Sequence, residues 1–175
     1  RERIATILDA GAVPLTFGGD HGIALPIVSE IAKRHPKRVG ILHFDAHLDN
    51  YACFGDDLYA RCSPFYRLYE DPNMDTSKIV HIGIRGPRNH QEEFNNAQKF
   101  GANVILGREV KEMGGLTSYE LCMMVHEAGL AGAKGFDFVE IYPDTNSLQT
   151  AAHNACWAAL YYLNGYAERK KNGGK

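Results

Sequence analysis

The segment HFDAHLDN, residues 43–50, has carboxylate and imidazole side chains at alternate positions. Asp45, His47 and Asp49 would share one face of a regular strand, whereas His43 is expected to support them rather than bind. Carboxylate and imidazole together suit divalent metals such as Mn, Fe, Co, Ni and Zn. Side chains at i and i+2 are about 6–7 Å apart on a strand, too far for one ion. Either the chain curls into a loop, two neighbouring ions share a carboxylate, or this is a polar strand end without metal.

Two further candidates for chemistry lie elsewhere in the chain. In the motif GGDHG, Gly18 and Gly19 permit a tight turn, and Asp20 alone would be interpreted as a helix N-cap. Beside HFDAHLDN, His21 becomes a candidate ligand that Asp20 orients. Glu140 follows an apolar run, where a buried carboxylate requires a cationic partner. That partner is either a basic side chain, in a structural salt bridge, or a bound cation.

Strands and helices alternate along the chain. Strands are predicted at 13–17, 38–47, 78–86, 103–106 and 135–143, and helices at 1–10, 23–35, 89–101, 117–129 and 148–166. This alternation predicts an α/β fold in which helices cover both faces of a parallel sheet. The polar motifs follow strands, where such folds collect function. The alternation fails after residue 106, because no strand precedes the next capped helix, and the tail ERKKNGGK is predicted to be frayed.

Length and composition narrow the class of protein. The chain has 175 residues and 45% hydrophobic content, which is enough for one core and one domain. Its net charge is -2, so neither nucleic acid nor an anionic membrane is an expected partner. No apolar run is long enough to span a bilayer. The four cysteines form no CxxC pair, which predicts reduced thiols and a cytoplasmic location.

The motifs GGDHG, HFDAHLDN, HIGIRG, GGLTS and FDFVEIYP, in this order, resemble those of the ureohydrolase family, which includes arginase and agmatinase. The agmatinase branch is the most similar. The resemblance implies a three-layer α/β/α sandwich with a central parallel sheet (arginase-like). It also implies assembly into a trimer or hexamer, either a homo-oligomer or a hetero-oligomer. It implies hydrolysis of a guanidino compound to urea and an amine with two divalent metal ions, Mn or Ni. The implied ligands are His21, Asp45, His47 and Asp49. Asp45 would bridge the ions, and Glu140 would contact the substrate guanidinium.

The sequence also departs from the family pattern. The family has a strand with an Asp-x-Asp pair of ligands shortly before GGLTS, and none is present between Met113 and Gly114. We therefore expect a single domain, residues 1–175, that lacks an N-terminal part and an internal strand segment near 113–114. Arg61 stands where family members often have a histidine, which favours free guanidine or a biguanide over agmatine as substrate. The alternative function is a non-catalytic subunit of the same fold that partners an active homologue.

Overall fold

The computed structural model describes residues 1–110, 116–141 and 148–174, and there helices alternate with parallel strands as predicted. The helices are α1 (Glu2–Asp9), α2 (Ala24–Arg34), α3 (Pro64–Glu70), α4 (Gln91–Phe100), α5 (Gly107–Val110), α6 (Ser118–Leu130) and α7 (Leu148–Lys171). The strands are β1 (Leu15–Phe17), β2 (Ile41–Phe44), β3 (Ile79–Ile84), β4 (Asn103–Leu106) and β5 (Phe136–Phe138). None of the described helices is both long and apolar enough to cross a bilayer.

The chain divides into two units, each with its own parallel sheet. The first unit consists of Arg1 and His21–Gly115, and the second of Glu2–Asp20 with Leu116–Lys175. In the first unit the strand order is β2-β3-β4. The central strand β3 is buried on both faces, as is typical of parallel sheets. Beside this sheet, α2 and α3 enclose a core formed by Ala32, Phe65, Leu68, Tyr69, Met74 and Ile79.

The second unit has a two-stranded sheet, β1-β5, and two helices in close contact. Its core joins Val125 of α6 to Ala158 and Tyr162 of α7. Glycines allow the two helices to approach closely: a Cβ at Gly165 would collide with the backbone carbonyl of His126. The capped start predicted for α6 is confirmed, because Thr117 Oγ1 accepts a hydrogen bond from the Glu120 backbone N–H at 3.2 Å.

Several predicted boundaries are wrong. The strand predicted at 38–47 covers only Ile41–Phe44, and the strand predicted from residue 135 covers only Phe136–Phe138. Helix α3 was not predicted. The tail begins as helix rather than frayed chain, since α7 continues to Lys171, where basic side chains in its last turn suit the helix dipole. The predicted gap near residues 113–114 lies outside the described residues.

Candidate metal centre

The acidic part of HFDAHLDN is a loop that begins where β2 ends. The Asp45 backbone N–H still donates to Ile82 O of β3 at 3.2 Å, as a strand residue would. Beyond it the chain turns, and Asp49 has a φ of 46°. A positive φ is uncommon for a residue other than glycine and marks a constrained turn. Asp45, His47 and Asp49 therefore lie on a loop rather than on a regular strand.

A side chain from the segment after β3 holds this loop in place. Asn89 Nδ2 donates to Ala46 O and to Arg85 O, both at 2.8 Å. Asn89 Oδ1 accepts the Leu48 backbone N–H at 3.1 Å. Both amide hydrogens and the amide oxygen are thus used, which fixes the orientation of the side chain. The bonds fasten the backbone on either side of His47.

All four predicted ligands lie close together in the first unit. His21, buried in a short 3-10 turn before α2, has its Nδ1 2.6 Å from Asp49 Oδ2. The same nitrogen lies 3.9 Å from Asp45 Oδ2. The other oxygen of Asp45, Oδ1, lies 3.5 Å from His47 Nδ1 and accepts the His47 backbone N–H at 2.9 Å. The two oxygens of one carboxylate therefore face two different histidines.

The environment of Asp45 favours its charged form. Burial raises the pKa of this carboxyl group. The facing side chain of His43, the His47 backbone N–H and the nearby His21 outweigh burial and lower the pKa from 3.8 to about 2. Asp45 is consequently ionised at neutral pH, which is the state that binds metal.

The donor set fits a divalent metal ion. Ligand atoms of His21, His43 and Asp45 all lie within 4.8 Å of one another. Metal bonds to nitrogen and oxygen of about 2.0–2.2 Å place neighbouring ligand atoms roughly 3 Å apart, so small side-chain movements would complete a site. Imidazole with carboxylate is a ligand set typical of Mn, Fe, Ni and Zn.

Comparison with known proteins identifies the family. The model of the arginase family matches residues 1–114, more than half of the chain. The chain belongs to the arginase family. The resemblance inferred from the motifs is confirmed, and so is its agmatinase-like branch.

Two curated members of the arginase family illustrate the extent of the match. Guanidinobutyrase of Pseudomonas aeruginosa is 42% identical over 104 residues, which is 59% of this chain and 32% of that protein. Agmatinase of Chromobacterium violaceum is 27% identical over 194 residues, which is 89% of this chain and 59% of that protein. In the first of these matches, the chain spans about a third of the relative's length.

A similar solved structure confirms the fold. The crystal structure of Trypanosoma cruzi formiminoglutamase with Mn²⁺ matches with a TM-score of 0.87 at 18% identity. The match covers 96% of this chain and 70% of that chain. The arginase-like α/β fold predicted from the motifs is therefore confirmed.

The remaining predicted residues lie outside the cluster just described or in the other unit. Glu140, in the second unit, lies two residues after the end of β5 and has a φ of 58°; its backbone N–H donates to Gly19 O at 2.8 Å. Its contact with substrate stays a prediction. Arg61 is exposed in the loop before α3. Asn89 was not among the predicted site residues: it is the first residue of the helix predicted at 89–101, and its position three residues after HIGIRG was a usable signal.

Proposed function

We propose that this arginase-family chain takes part in metal-dependent hydrolysis of a guanidino compound to urea and an amine. The Asp45 carboxylate carries the proposal, because its Oδ2 faces His21 and its Oδ1 faces His47. A carboxylate with one oxygen on each of two ions is a recurrent design in hydrolases. Similarity to a guanidinobutyrase and a guanidinopropionase, names that specify guanidino substrates, supports the substrate class.

In this proposal two divalent ions are held by four side chains. One ion would bind His21, Asp45 and Asp49, and the other Asp45 and His47. We favour Mn²⁺, which accompanies the similar formiminoglutamase, with Ni²⁺ as the alternative. When bound, such ions would supply the acidification of a water molecule that hydrolysis near neutral pH needs. Glu140 would hold the substrate guanidinium through paired, charge-assisted hydrogen bonds.

We also propose that the native protein contains an additional segment between Met113 and Gly114. This segment would form the strand with the Asp-x-Asp ligands that the printed sequence lacks. Among the described strands, β2 pairs only with β3 and β5 only with β1, so each offers an open edge. The family match ends at residue 114, and the agmatinase alignment is longer, at 194 residues, than the whole chain. A tryptic peptide of the native protein in which Met113 directly precedes Gly114 would refute this insertion.

The proposal also covers the oligomeric state and the cellular location of the protein. We propose that the chain forms a trimer or hexamer, either with copies of itself or with an active homologue. Four free cysteines, two of them exposed, suit a reducing compartment and hence the cytoplasm. We propose free guanidine or a biguanide, rather than agmatine, as the substrate, since Arg61 occupies the position where family members often have a histidine.

Metal analysis combined with urea release tests the function. The native full-length protein, expressed with ample Mn²⁺ or Ni²⁺, is expected to retain metal and to release urea from at least one compound. The panel contains agmatine, guanidinobutyrate, guanidinopropionate, guanidine and a biguanide. Asp45→Asn is expected to lose both properties. Asp75→Asn, which removes a carboxylate paired with Lys78 at 3.0 Å, is the matched control and should retain both. A protein without metal or urea release would instead be the non-catalytic subunit.

A further inference from the structure

Behind Asp45 lies a chain of buried polar side chains that the proposed hydrolysis does not use. Asn50 Nδ2 donates to the Tyr69 hydroxyl at 3.3 Å, and that hydroxyl lies 2.7 Å from His81 Nε2. His81 Nδ1 lies 2.8 Å from His43 Nδ1. His43 Nε2 in turn faces Asp45 Oδ2 at 3.4 Å. The two histidines, Asn50 and Tyr69 are all buried.

The Asn50 end of this chain sets its direction. Asn50 Nδ2 also donates to the carbonyl of Glu93 at 2.9 Å, so the atom there must be the nitrogen of the amide. An amide nitrogen donates and does not accept. The hydroxyl hydrogen of Tyr69 therefore points to His81 Nε2, since a buried hydroxyl hydrogen without an acceptor is unfavourable.

The same reasoning fixes the proton on each imidazole. Because His81 Nε2 accepts from Tyr69, neutral His81 has its proton on Nδ1. Burial lowers the pKa of His81 to about 2, which keeps the ring neutral. Only one proton fits between two nitrogens 2.8 Å apart, so His43 Nδ1 is the acceptor. The proton of His43 is then on Nε2, the atom that faces Asp45.

Packing keeps the ring of His43 in this position. Phe65 of α3 lies against it, with ring centroids 4.2 Å apart, and also contacts His81 at 4.7 Å. Among the described residues, His43 Nε2 has no aligned hydrogen-bond partner although it is buried. A buried N–H in that state is unfavourable unless a nearby acceptor turns towards it. The carboxylate of Asp45 is such an acceptor.

We propose that Tyr69 and His81 are positioning residues that hold His43 as a hydrogen-bond donor to Asp45, and that His43 is not a metal ligand despite its place in the cluster. A metal ligand needs a free lone pair, and the chain of hydrogen bonds leaves a proton on the only nitrogen that faces the site. The chain would orient the carboxylate whose two oxygens are proposed to serve two ions. The part of the inference that concerns the two ions rests on the proposed function.

Nitrogen NMR of the full-length, metal-free protein labelled with ¹⁵N-histidine tests the inference. In the unsubstituted protein we expect the proton on Nε2 of His43 and on Nδ1 of His81. Tyr69→Phe removes only the hydroxyl. It is expected to lower the fraction of His43 with a proton on Nε2 and to raise the Mn²⁺ dissociation constant about tenfold, as loss of a residue that supports a ligand typically does.

Tyr162→Phe is the matched control. This buried tyrosine of the second unit donates to Ala133 O at 2.7 Å, so its loss removes a similar hydrogen bond. It should leave the His43 signals and Mn²⁺ affinity unchanged. A proton on Nδ1 of His43 in the unsubstituted protein would overturn the inference, as would Tyr69→Phe without effect on either measurement. If no urea is released but both effects are present, the proposed hydrolysis fails while the inference stands. If Mn²⁺ does not bind, the NMR result decides alone.

Discussion

The two units of the chain bury different kinds of side chain. Polar or charged residues are buried in the first unit: His21, Ser29, His43, Asn50, Ser63, His81 and Glu93. In the described part of the second unit the buried residues are apolar or small, chiefly Cys122, Val125, Ala155, Ala158, Ala159 and Tyr162. In the second unit, α6 and α7 also pack closely against each other at glycines.

This difference indicates that the core of the first unit serves function, whereas the core of the second unit serves stability. A buried polar group destabilises the folded state unless it is hydrogen-bonded, so a cluster of such groups indicates a function that needs them. In the first unit several of them surround the loop that carries Asp45 and Asp49. In the second unit apolar packing provides stability alone. Substitutions in the polar cluster around that loop should therefore change metal binding, and those in the apolar core of the second unit should change stability.

Gly165→Ala should have the largest effect on stability. A Cβ at this position would collide with the His126 carbonyl, and it would lie 2.9 Å from the Leu130 backbone nitrogen. Backbone atoms of a packed helix cannot move aside easily, so we expect the free energy of unfolding to fall by about 3 kcal/mol. Urea denaturation measures this, and the Mn²⁺ affinity of the folded protein should not change.

The neighbouring exposed residue provides the control for Gly165→Ala. Asn164→Ala places the same methyl group on α7 facing solvent, and its stability should stay within about 0.5 kcal/mol of the original protein. Equal stability of the two variants would show that α6 and α7 are not closely packed. The claim that packing stabilises the second unit would then be wrong.

Acid should destabilise the first unit through His81. Burial lowers the pKa of folded His81 from 6.5 to about 2, so only the unfolded chain binds a proton between these values. Lowering the pH from 7 to 5 therefore favours unfolding, by roughly 2 kcal/mol for this residue. Below about pH 2 the folded form is protonated too, and the effect reaches its limit. Urea denaturation of the metal-free protein at both pH values measures it.

Substitution of single histidines assigns the acid effect. His81→Asn should reduce the loss of stability between pH 7 and pH 5. His153→Asn, which changes an exposed histidine of α7, should leave that loss unchanged. The same pH dependence in both variants would show that the polar core of the first unit is not what makes the protein sensitive to acid.

Elements with local signals could be predicted from the sequence. The start of α6 depends on Thr117 and Glu120, three residues apart, and α4 ends at Gly101, whose φ of 75° suits glycine. Helix α3 has a start signal in Ser63 and a proline at its first position. It is only seven residues long and rich in aromatic residues, so it shows no helical period.

The candidate site, like the helices, could be predicted only where its residues lie close together in the sequence. Asp45, His47 and Asp49 lie within five residues, and their types and spacing suffice to group them. Tyr69 and His81 reach the site from α3 and β3. Contacts between residues so distant in the chain leave no period or motif in a single sequence. The sequence therefore indicates metal chemistry but not the side chains that position it.

Asn89→Ala should lower stability less than Gly165→Ala does, but it should weaken Mn²⁺ binding. It removes the hydrogen bonds to Ala46 and Leu48 on either side of His47, while the half-exposed site readmits water. We expect a loss of about 1 kcal/mol in the free energy of unfolding and a tenfold or so rise in the Mn²⁺ dissociation constant. Asn103→Ala is the control, because Asn103 donates to the Ser77 carbonyl at 2.8 Å in the same unit. It should lose similar stability with unchanged Mn²⁺ affinity. Equal Mn²⁺ affinities in the two variants would mean that the loop keeps its shape without Asn89, and that this polar contact of the first unit serves stability, as the apolar core of the second unit does.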